Sequence, residues 1–392
     1  MYDVAIVGGG PGGAAAAVAL GQRGVKNVIL IDRDPFPRDK TCGSGLSPNA
    51  LNLIKELGID AEVRERAYPI MSVKIVTPGG REMVLASNAA ALVLLRRHFD
   101  NLLIDKAKSF GVEVRAPWRA DSLIKDGEQV VGVKGFDGSE IRAKYVLCAD
   151  GANSIFSHDP RPKRSIATLM GWWDDFSFAP GQLQMVFDPE VAPLYGWLFP
   201  ESETRVNIGI CVDGQDEDGQ KTTRNLRETF DQFLKKHYGE QLKTAKQVGK
   251  LKGHPIVYTN WVGHLTSPGA LFLGEAARIT HNATGEGISQ AMQSGVYAAE
   301  ALSRVLVKGE RESKVWSWYV NQHRKKFTSS FVAGHMLRAV VDSSFLDHVA
   351  DAYNNPLVRK AVVKLLGSAL AGSSVHDGGD RLVRESAKSE PV

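Results

Sequence analysis

At 392 residues, with 43% hydrophobic and 23% charged side chains, the chain can bury a large core and reads as an ordinary globular protein of two or three domains or one large composite. A net charge of +4, spread along the chain, argues against nucleic acid, and the three cysteines (Cys42, Cys148, Cys211) are too widely spaced for a disulfide framework or a CxxC metal site. No metal is expected, a reducing, cytoplasmic setting fits the cysteine usage, and any membrane contact would be peripheral, because no apolar run approaches roughly 18 residues.

Met1 is followed at once by a core strand, which leaves no room for a signal peptide. Tyr2 to Val7 reads as a short buried strand, Gly8 to Gly13 as a glycine turn with Pro11 and Gly12 inside it, and Ala14 to Arg23 as a helix closed by Gly24. Asn27 to Ile31 is a second strand ending at Asp32, with Arg33 beyond it. Gly8, Gly10 and Gly13 fit GxGxxG: the first allows the tight turn, the second lets the backbone approach a pyrophosphate, and the third lets helix and strand pack closely. The helix N-terminus then offers free N–H groups to phosphates, and Asp32, 24 residues beyond Gly8, can accept hydrogen bonds from a ribose diol. The segment therefore predicts dinucleotide binding.

Pro35 to Pro48 is a long, turn-rich connection of the kind that carries function, followed by a helix over Asn49 to Leu57. Ser72 to Ala86 reads as a hairpin around Pro78-Gly79-Gly80, Leu92 to Phe110 as an amphipathic helix, and Tyr145 to Ala149 as a buried strand running into Asp150-Gly151. From Ser165 to about Leu251 the pattern turns to alternating, aromatic-rich strands, including Gln182 to Phe187, Tyr195 to Phe199 and Arg205 to Val212. That pattern predicts an antiparallel sheet, interrupted by a polar loop (Asp213 to Gln220) and a helix (Leu226 to His237). Ala270 to Leu273 returns to buried-strand style before Gly274-Glu275, and Gly285-Glu286-Gly287 opens a helix toward Val307. Glu312 to about Ala371 reads as helical, with a polar, disordered tail over 373–392.

Four strand ends thus carry glycine or acid: Gly8–Gly13, Asp32, Asp150-Gly151 and Gly274-Glu275. In an open α/β sheet the ligand lies beyond the carboxyl ends of the strands, and four such ends suit an extended cofactor. No second GxGxxG argues for a separate nicotinamide domain.

These residues resemble a flavoprotein superfamily of aromatic hydroxylases, flavin-dependent halogenases and geranylgeranyl reductases (the para-hydroxybenzoate hydroxylase-like flavoproteins) over residues 1 to about 310. Arg96-Arg97-His98-Phe99-Asp100 matches its RxxFD, whose arginine contacts FAD; Asp150-Gly151 matches its DG motif; and Glu275 stands where an aspartate usually binds the ribityl chain. Lys40-Thr41-Cys42-Gly43-Ser44-Gly45-Leu46-Ser47-Pro48, Tyr195-Gly196-Trp197-Leu198-Phe199-Pro200 and Thr284-Gly285-Glu286-Gly287-Ile288 are similar to K-x-C-G-x-G-L-[ST]-P, Y-x-W-x-F-P and TGEGI of the geranylgeranyl reductase family. Asn282 replaces a proline usual in that last segment.

The resemblance implies an α/β, Rossmann-like FAD-binding fold of the glutathione-reductase type (1–68, 92–164 and 256–310), an inserted antiparallel substrate domain (69–91 and 165–255) and a C-terminal helical region (311–372). It implies an FAD-dependent oxidoreductase that reduces C=C bonds of a hydrophobic prenyl chain, with NAD(P)H or a protein as electron donor. The expected FAD-binding residues are Gly8, Gly10, Pro11, Gly12, Gly13, Asp32, Arg33, Cys42, Gly43, Arg96, Asp150, Gly151, Gly274, Glu275, Gly285, Gly287 and Ile288. The expected catalytic residues are Cys42 as proton donor, directly or through a water, with Tyr195, Trp197 and Trp172 or Trp173 easing positive charge.

Each feature also has a plainer reading. Cys42 can be an inert small residue, Tyr195, Trp197 and Phe199 a sheet core, His281 a structural histidine, and Glu286 a helix-start acid. The rival functions are a monooxygenase or halogenase on the same fold and an electron-transfer flavoprotein acting on quinone. From Pro356, Leu357, Val358, Ala361, Val362, Leu365 and Leu366 recur at helical spacing among Arg359, Lys360 and Lys364. Such a helix suits either a membrane surface or packing on its own domain.

Overall fold

A computed structural model describes residues 1–157, 164–215, 224–341 and 344–362; the expected tail at 373–392 lies outside them. The chain opens with β1 (Tyr2–Val7), α1 (Pro11–Gln22), β2 (Val28–Ile31), β3 (Gly45–Leu46), α2 (Pro48–Glu56) and α3 (Asp60–Arg66). The hairpin β4 (Tyr68–Val76) and β5 (Glu82–Val93) follows, then α4 (Arg96–Ser109), β6 (Glu113–Arg115), β7 (Ala120–Asp126), β8 (Gln129–Gly135) and β9 (Glu140–Cys148). Next come β10 (Arg164–Asp174), β11 (Gln182–Val186), β12 (Gly196–Pro200), β13 (Val206–Asp213), α5 (Leu226–Tyr238) and β14 (Lys246–Tyr258). The chain continues through β15 (Thr266–Ser267), β16 (Ala270–Phe272), α6 (Ile288–Leu306), α7 (Glu312–Val341) and α8 (Phe345–Asp351).

The first sheet runs β15-β16-β9-β1-β2-β6, with the β7–β8 hairpin joined to β9. Its centre is parallel, Val4 to Val7 lying between Val28–Ile31 and Tyr145–Cys148. These strands are buried and apolar, in a core shared with α1, α4, α6 and the β7–β8 hairpin. α1 and α6 approach at backbone distance: a Cβ on Gly295 would sit 2.3 Å from the Gly12 carbonyl oxygen. Alanines Ala14 to Ala17 then fill the space between helix and sheet.

The second sheet runs β14-β10-β13-β12-β11-β4-β5-β3. It differs from the expected antiparallel sheet at one pair, since β11 runs parallel to β4. The period-2 pattern of a strand reports which face is buried, not the direction of its neighbour. One face packs under α5, where Phe233 lies directly on Gly196; a Cβ there would be 2.1 Å from the ring. The other face carries Ile166, Met170, Leu183, Met185, Tyr195, Trp197 and Cys211, with Val341, Leu346 and Val362 from the C-terminal helices in the same core.

The single helix expected over Leu92 to Phe110 is two elements, the end of β5 and α4. Leu92 and Val93 are claimed by pairing with Leu46 and Gly45, a tertiary contact that overrides helical periodicity. In the C-terminal segment, Val358 and Val362 pack against the second core while Leu357 is exposed; Lys364, Leu365 and Leu366 lie outside the described residues. No helix of the described residues is long and apolar enough to cross a membrane.

Candidate active site

The carboxyl ends of β1, β2, β9 and β16 open into one cavity of about 1290 Å³, roofed by the second sheet. Pockets for drug-sized ligands reach about 1,000 Å³, so this one has room for more than a mononucleotide. Every residue expected to bind FAD from Gly8 to Ile288 lines it, except Gly13, which packs beneath the turn. A Cβ on Gly13 would lie 1.9 Å from the Gly8 carbonyl oxygen, whereas one on Gly10 would meet nothing nearer than Arg38 and Arg96 Nη2 at 3.9 Å. Gly10 thus faces open space ringed by cations, as an approach to a pyrophosphate requires.

Asp32 is buried and accepts from the Gly9 amide at 2.7 Å through Oδ2 and from the Asp34 amide at 3.0 Å through Oδ1. Arg38 Nη2 lies 3.3 Å from Asp32 and Nη1 3.2 Å from Asp100, so one arginine bridges Asp32 to α4. Arg96 donates twice to Asp100, from Nε at 2.7 Å and from Nη2 at 2.8 Å. Burial alone would weaken the hold of Arg96 on its proton, but Asp100 and the nearby Cys42 thiol outweigh it and the pKa rises.

Two buried polar atoms of this wall have no protein partner: Asp150 Oδ1 and Arg38 Nε. Burial raises the Asp150 carboxyl above its usual range, with bonds from Ser154 and Ile155 opposing. A donor-bearing ribityl or ribose hydroxyl fits the first orphan and a phosphate oxygen the second, so the residues present suit FAD. Glu275 lines the wall and accepts from the Val257 amide at 3.1 Å. Gly285 takes φ +64°, and the turn Gly285–Gly287 leads into α6, whose N-terminus faces the cavity. Glu286 is tied by Ser47 and, at 2.6 Å, by Ser289; burial raises its pKa, with those hydrogen bonds opposing.

The roof over this region is aromatic. Tyr195 and Trp197 stand edge to face at 6.4 Å between centroids, and Trp197 and Phe199 are tilted at 6.2 Å. The Tyr195 hydroxyl donates to the Thr284 carbonyl at 2.5 Å, pinning the roof to the loop before α6. Trp197 Nε1 donates to Asn207 Oδ1 at 2.7 Å, and its ring lies over Gly209 opposite. Cys42 lies half-buried on the connection after β2, its Sγ 3.3 Å from the Ser44 amide, while Gly43 packs against Phe199 and Trp197.

Trp172 and Trp173 do not line the cavity. Trp172 Nε1 donates to Glu201 at 2.8 Å, and Trp173 packs on Phe230 on the far face. The residues are adjacent, so only one can share the cavity face; Trp172 does, packing against the same core as Met170, but it lies beyond the cavity lining. Asn282 does not face the cavity either: Nδ2 donates to Asn260 at 2.9 Å and to the Phe331 carbonyl of α7 at 3.1 Å, a bond no proline could make. His281 accepts at Nδ1 from the Thr284 amide at 3.1 Å and its pKa is held by burial at about 4, a structural arrangement.

Sequence reasoning missed Arg38, Asp100 and the contact of Lys40 Nζ with His254 Nε2 across the cavity. Asp100 was legible as the i+4 partner of Arg96; nothing in the sequence joins positions 40 and 254.

A family model for an FAD binding domain matches residues 1–333. The chain is 27% identical over 390 residues to the digeranylgeranylglycerophospholipid reductase of Thermoplasma acidophilum, covering 94% of this chain and 96% of that one. It is 28% identical over 329 residues to the enzyme of the same name from Methanoculleus marisnigri, covering 79% and 78%. Among solved structures it is similar to a geranylgeranyl bacteriochlorophyll reductase-like protein from Thermoplasma acidophilum, with a TM-score of 0.79, 24% identity and coverage of 94% and 96%. It is similar in fold to the flavin-dependent brominase Bmp2, with a TM-score of 0.78, 22% identity and coverage of 94% of both chains. With the family model matched over residues 1–333 and flavin-dependent proteins among its structural neighbours, this protein belongs to the FAD binding domain family and takes FAD as its cofactor.

Proposed function

We propose that the protein is an FAD-dependent oxidoreductase that saturates C=C bonds of a prenyl chain. The observation that carries the reading is the roof: an apolar, aromatic wall of Val73, Leu85, Leu183, Met185, Tyr195 and Trp197 continues the cofactor cavity in the same space. A phosphate-binding turn alone accounts for a dinucleotide; a greasy extension beside its redox end accounts for a long hydrocarbon. The relatives' names point to the same chemistry.

Gly10 to Gly12, Arg38 and Arg96 would hold the pyrophosphate, Asp32 the ribose, and Glu275 and Asp150 the hydroxyls between. FAD, when bound and reduced, would supply hydride, and the N-terminus of α6, which faces the cavity, would offer a partial positive charge to an anionic group there. An isolated alkene accepts hydride poorly, so a proton must reach the other carbon as the hydride arrives. Cys42 is the donor we assign. The Ser44 amide lies 3.3 Å from its Sγ, and Arg96 lines the same cavity. The aromatic faces of Tyr195 and Trp197 ease cationic character by about 0.5–2 kcal/mol per contact. The segment from 356, with Leu357 exposed beside Arg359 and Lys360, would rest on the lipid surface from which such a substrate comes.

The test is anaerobic photoreduction of the purified protein, incubation with a panel of prenylated lipids, and mass spectrometry. A gain of two hydrogens per double bond is expected. Insertion of oxygen or halogen in air, or reoxidation by quinone with every alkene intact, would sink the reading.

A further inference from the structure

We propose that Lys40 returns the proton to Cys42 after each reduction and that His254 is the residue positioning it; this rests on the assignment of Cys42 made above. Lys40 stands two residues before Cys42 on the connection after β2, and both side chains line the cavity. Its Nζ meets Nε2 of His254 on β14, an edge strand of the other sheet. The far side of the ring decides the tautomer. Nδ1 lies 2.6 Å from the Pro255 carbonyl oxygen, which can only accept, so Nδ1 carries the hydrogen and Nε2 offers a lone pair. The backbone of His254 is held in turn by Thr168, whose Oγ1 donates to the His254 carbonyl at 2.7 Å and accepts from its amide at 3.3 Å. The ammonium therefore spends one hydrogen on a neutral imidazole and keeps two for the cavity.

The choice of partner matters chemically. A carboxylate in that place would tighten the hold of Lys40 on its proton; a neutral imidazole fixes direction at less cost in acidity. Burial is the chief cause lowering the Lys40 pKa, with Glu275 and Cys42 opposing and Arg96 and Arg38 adding to it. Burial, then Lys40, holds His254 at about 4, with Arg96 and Arg33 also facing it and the Pro255 carbonyl opposing, so the ring is uncharged at neutral pH.

The step balances without a redox partner. When Cys42 has given its proton to carbon, sulfur carries a negative charge. An N–H bond of Lys40 breaks, an S–H bond forms, and a neutral amine remains to take a proton from bulk water. Thiolate and ammonium become thiol and amine, and no electrons change owner.

The test reads Cys42 directly. Cys148 is buried away from the cavity, and Cys211, which lines it, has its pKa pushed up to about 12 by burial and stays a thiol over the working range, so iodoacetamide applied to the FAD-loaded protein reports on Cys42. Loss of a neighbouring ammonium in Lys40→Met should raise the pH midpoint of alkylation by about one unit. Lys40→Arg keeps the charge but holds its proton, so the midpoint should stay put while steady-state turnover falls. In both variants the steady-state rate should drop about tenfold further than the first turnover of pre-reduced protein, and added ethylamine should recover part of it. His254→Gln should give the same pattern more weakly. An alkylation midpoint unmoved in Lys40→Met, or a first turnover slowed as much as the steady state, would overturn the proposal. If the wild-type protein reduces no prenyl lipid, the functional reading fails, while the alkylation profile still decides whether Lys40 governs the proton on Cys42.

Discussion

Asp100 clamps Arg96 from behind, with two parallel hydrogen bonds of 2.7 and 2.8 Å one helical turn apart on α4, and so aims a buried cation at the glycine turn around Gly10. The same carboxylate holds Arg38 at 3.2 Å. Removing it leaves the desolvated Arg96 guanidinium without its carboxylate and Arg38 with Asp32 alone. Asp100→Ala should cost about 3–5 kcal/mol of stability, and Asp100→Asn, which keeps the shape but not the charge, should cost less. Thermal melts with and without FAD check this; a melt unchanged in Asp100→Ala would contradict it.

Gly10 and Gly13 should fail in different ways. At Gly13 an added Cβ would strike the Gly8 carbonyl oxygen at 1.9 Å, which no side chain can relieve, so Gly13→Ala should lose about 4 kcal/mol or more. At Gly10 the backbone is extended, with φ −74°, and the space is open. Gly10→Val should therefore fold normally and yield colourless protein. Circular dichroism reads the fold and absorbance near the flavin bands reads the cofactor.

Tyr195→Phe removes the hydroxyl that joins the roof to the loop before α6. The Thr284 carbonyl would lose its 2.5 Å donor inside the protein, at a cost of about 1–3 kcal/mol. The aromatic face remains, so FAD should still bind. A denaturant titration of the FAD-loaded variant measures the loss, and an unchanged midpoint would show that the bond carries no load.

Cys42→Ala should retain FAD but reduce prenyl lipid at least about a hundredfold more slowly, the usual scale for losing a positioned acid. Full turnover in that variant would remove Cys42 from the mechanism, and with it the role given to Lys40.

Stability should fall as the medium is acidified from pH 6.5 toward 4. His281 and His323 are both held by burial at about 4 in the folded protein against 6.5 in an open chain. Between those limits the unfolded chain binds more protons, so the stabilisation is whole above pH 6.5 and drains away as pH drops through the folded values. Each histidine accounts for about 3 kcal/mol over that range. His323→Gln should flatten the decline of melting temperature with pH; a slope equal to that of the wild type would refute the assignment.

That the glycine turn, Asp32, Asp150-Gly151, Arg96, Tyr195 and Trp197 stand around one cavity was legible in the chain. Each is announced by its near neighbours: a strand before it, a helix after it, or an alternation of two. The acid behind Arg96 could be read too, since four residues on a helix is a fixed distance in space. What lies between distant segments was not legible. The contact of Lys40 with His254, the bridge from Arg38 to Asp100 and the bond from Asn282 to α7 each join residues that periodicity treats as independent. Local pattern reports which face of an element is dry. Only closing the chain on itself decides which other element that face meets, because those contacts are chosen by packing and hydrogen-bond demand over the whole fold.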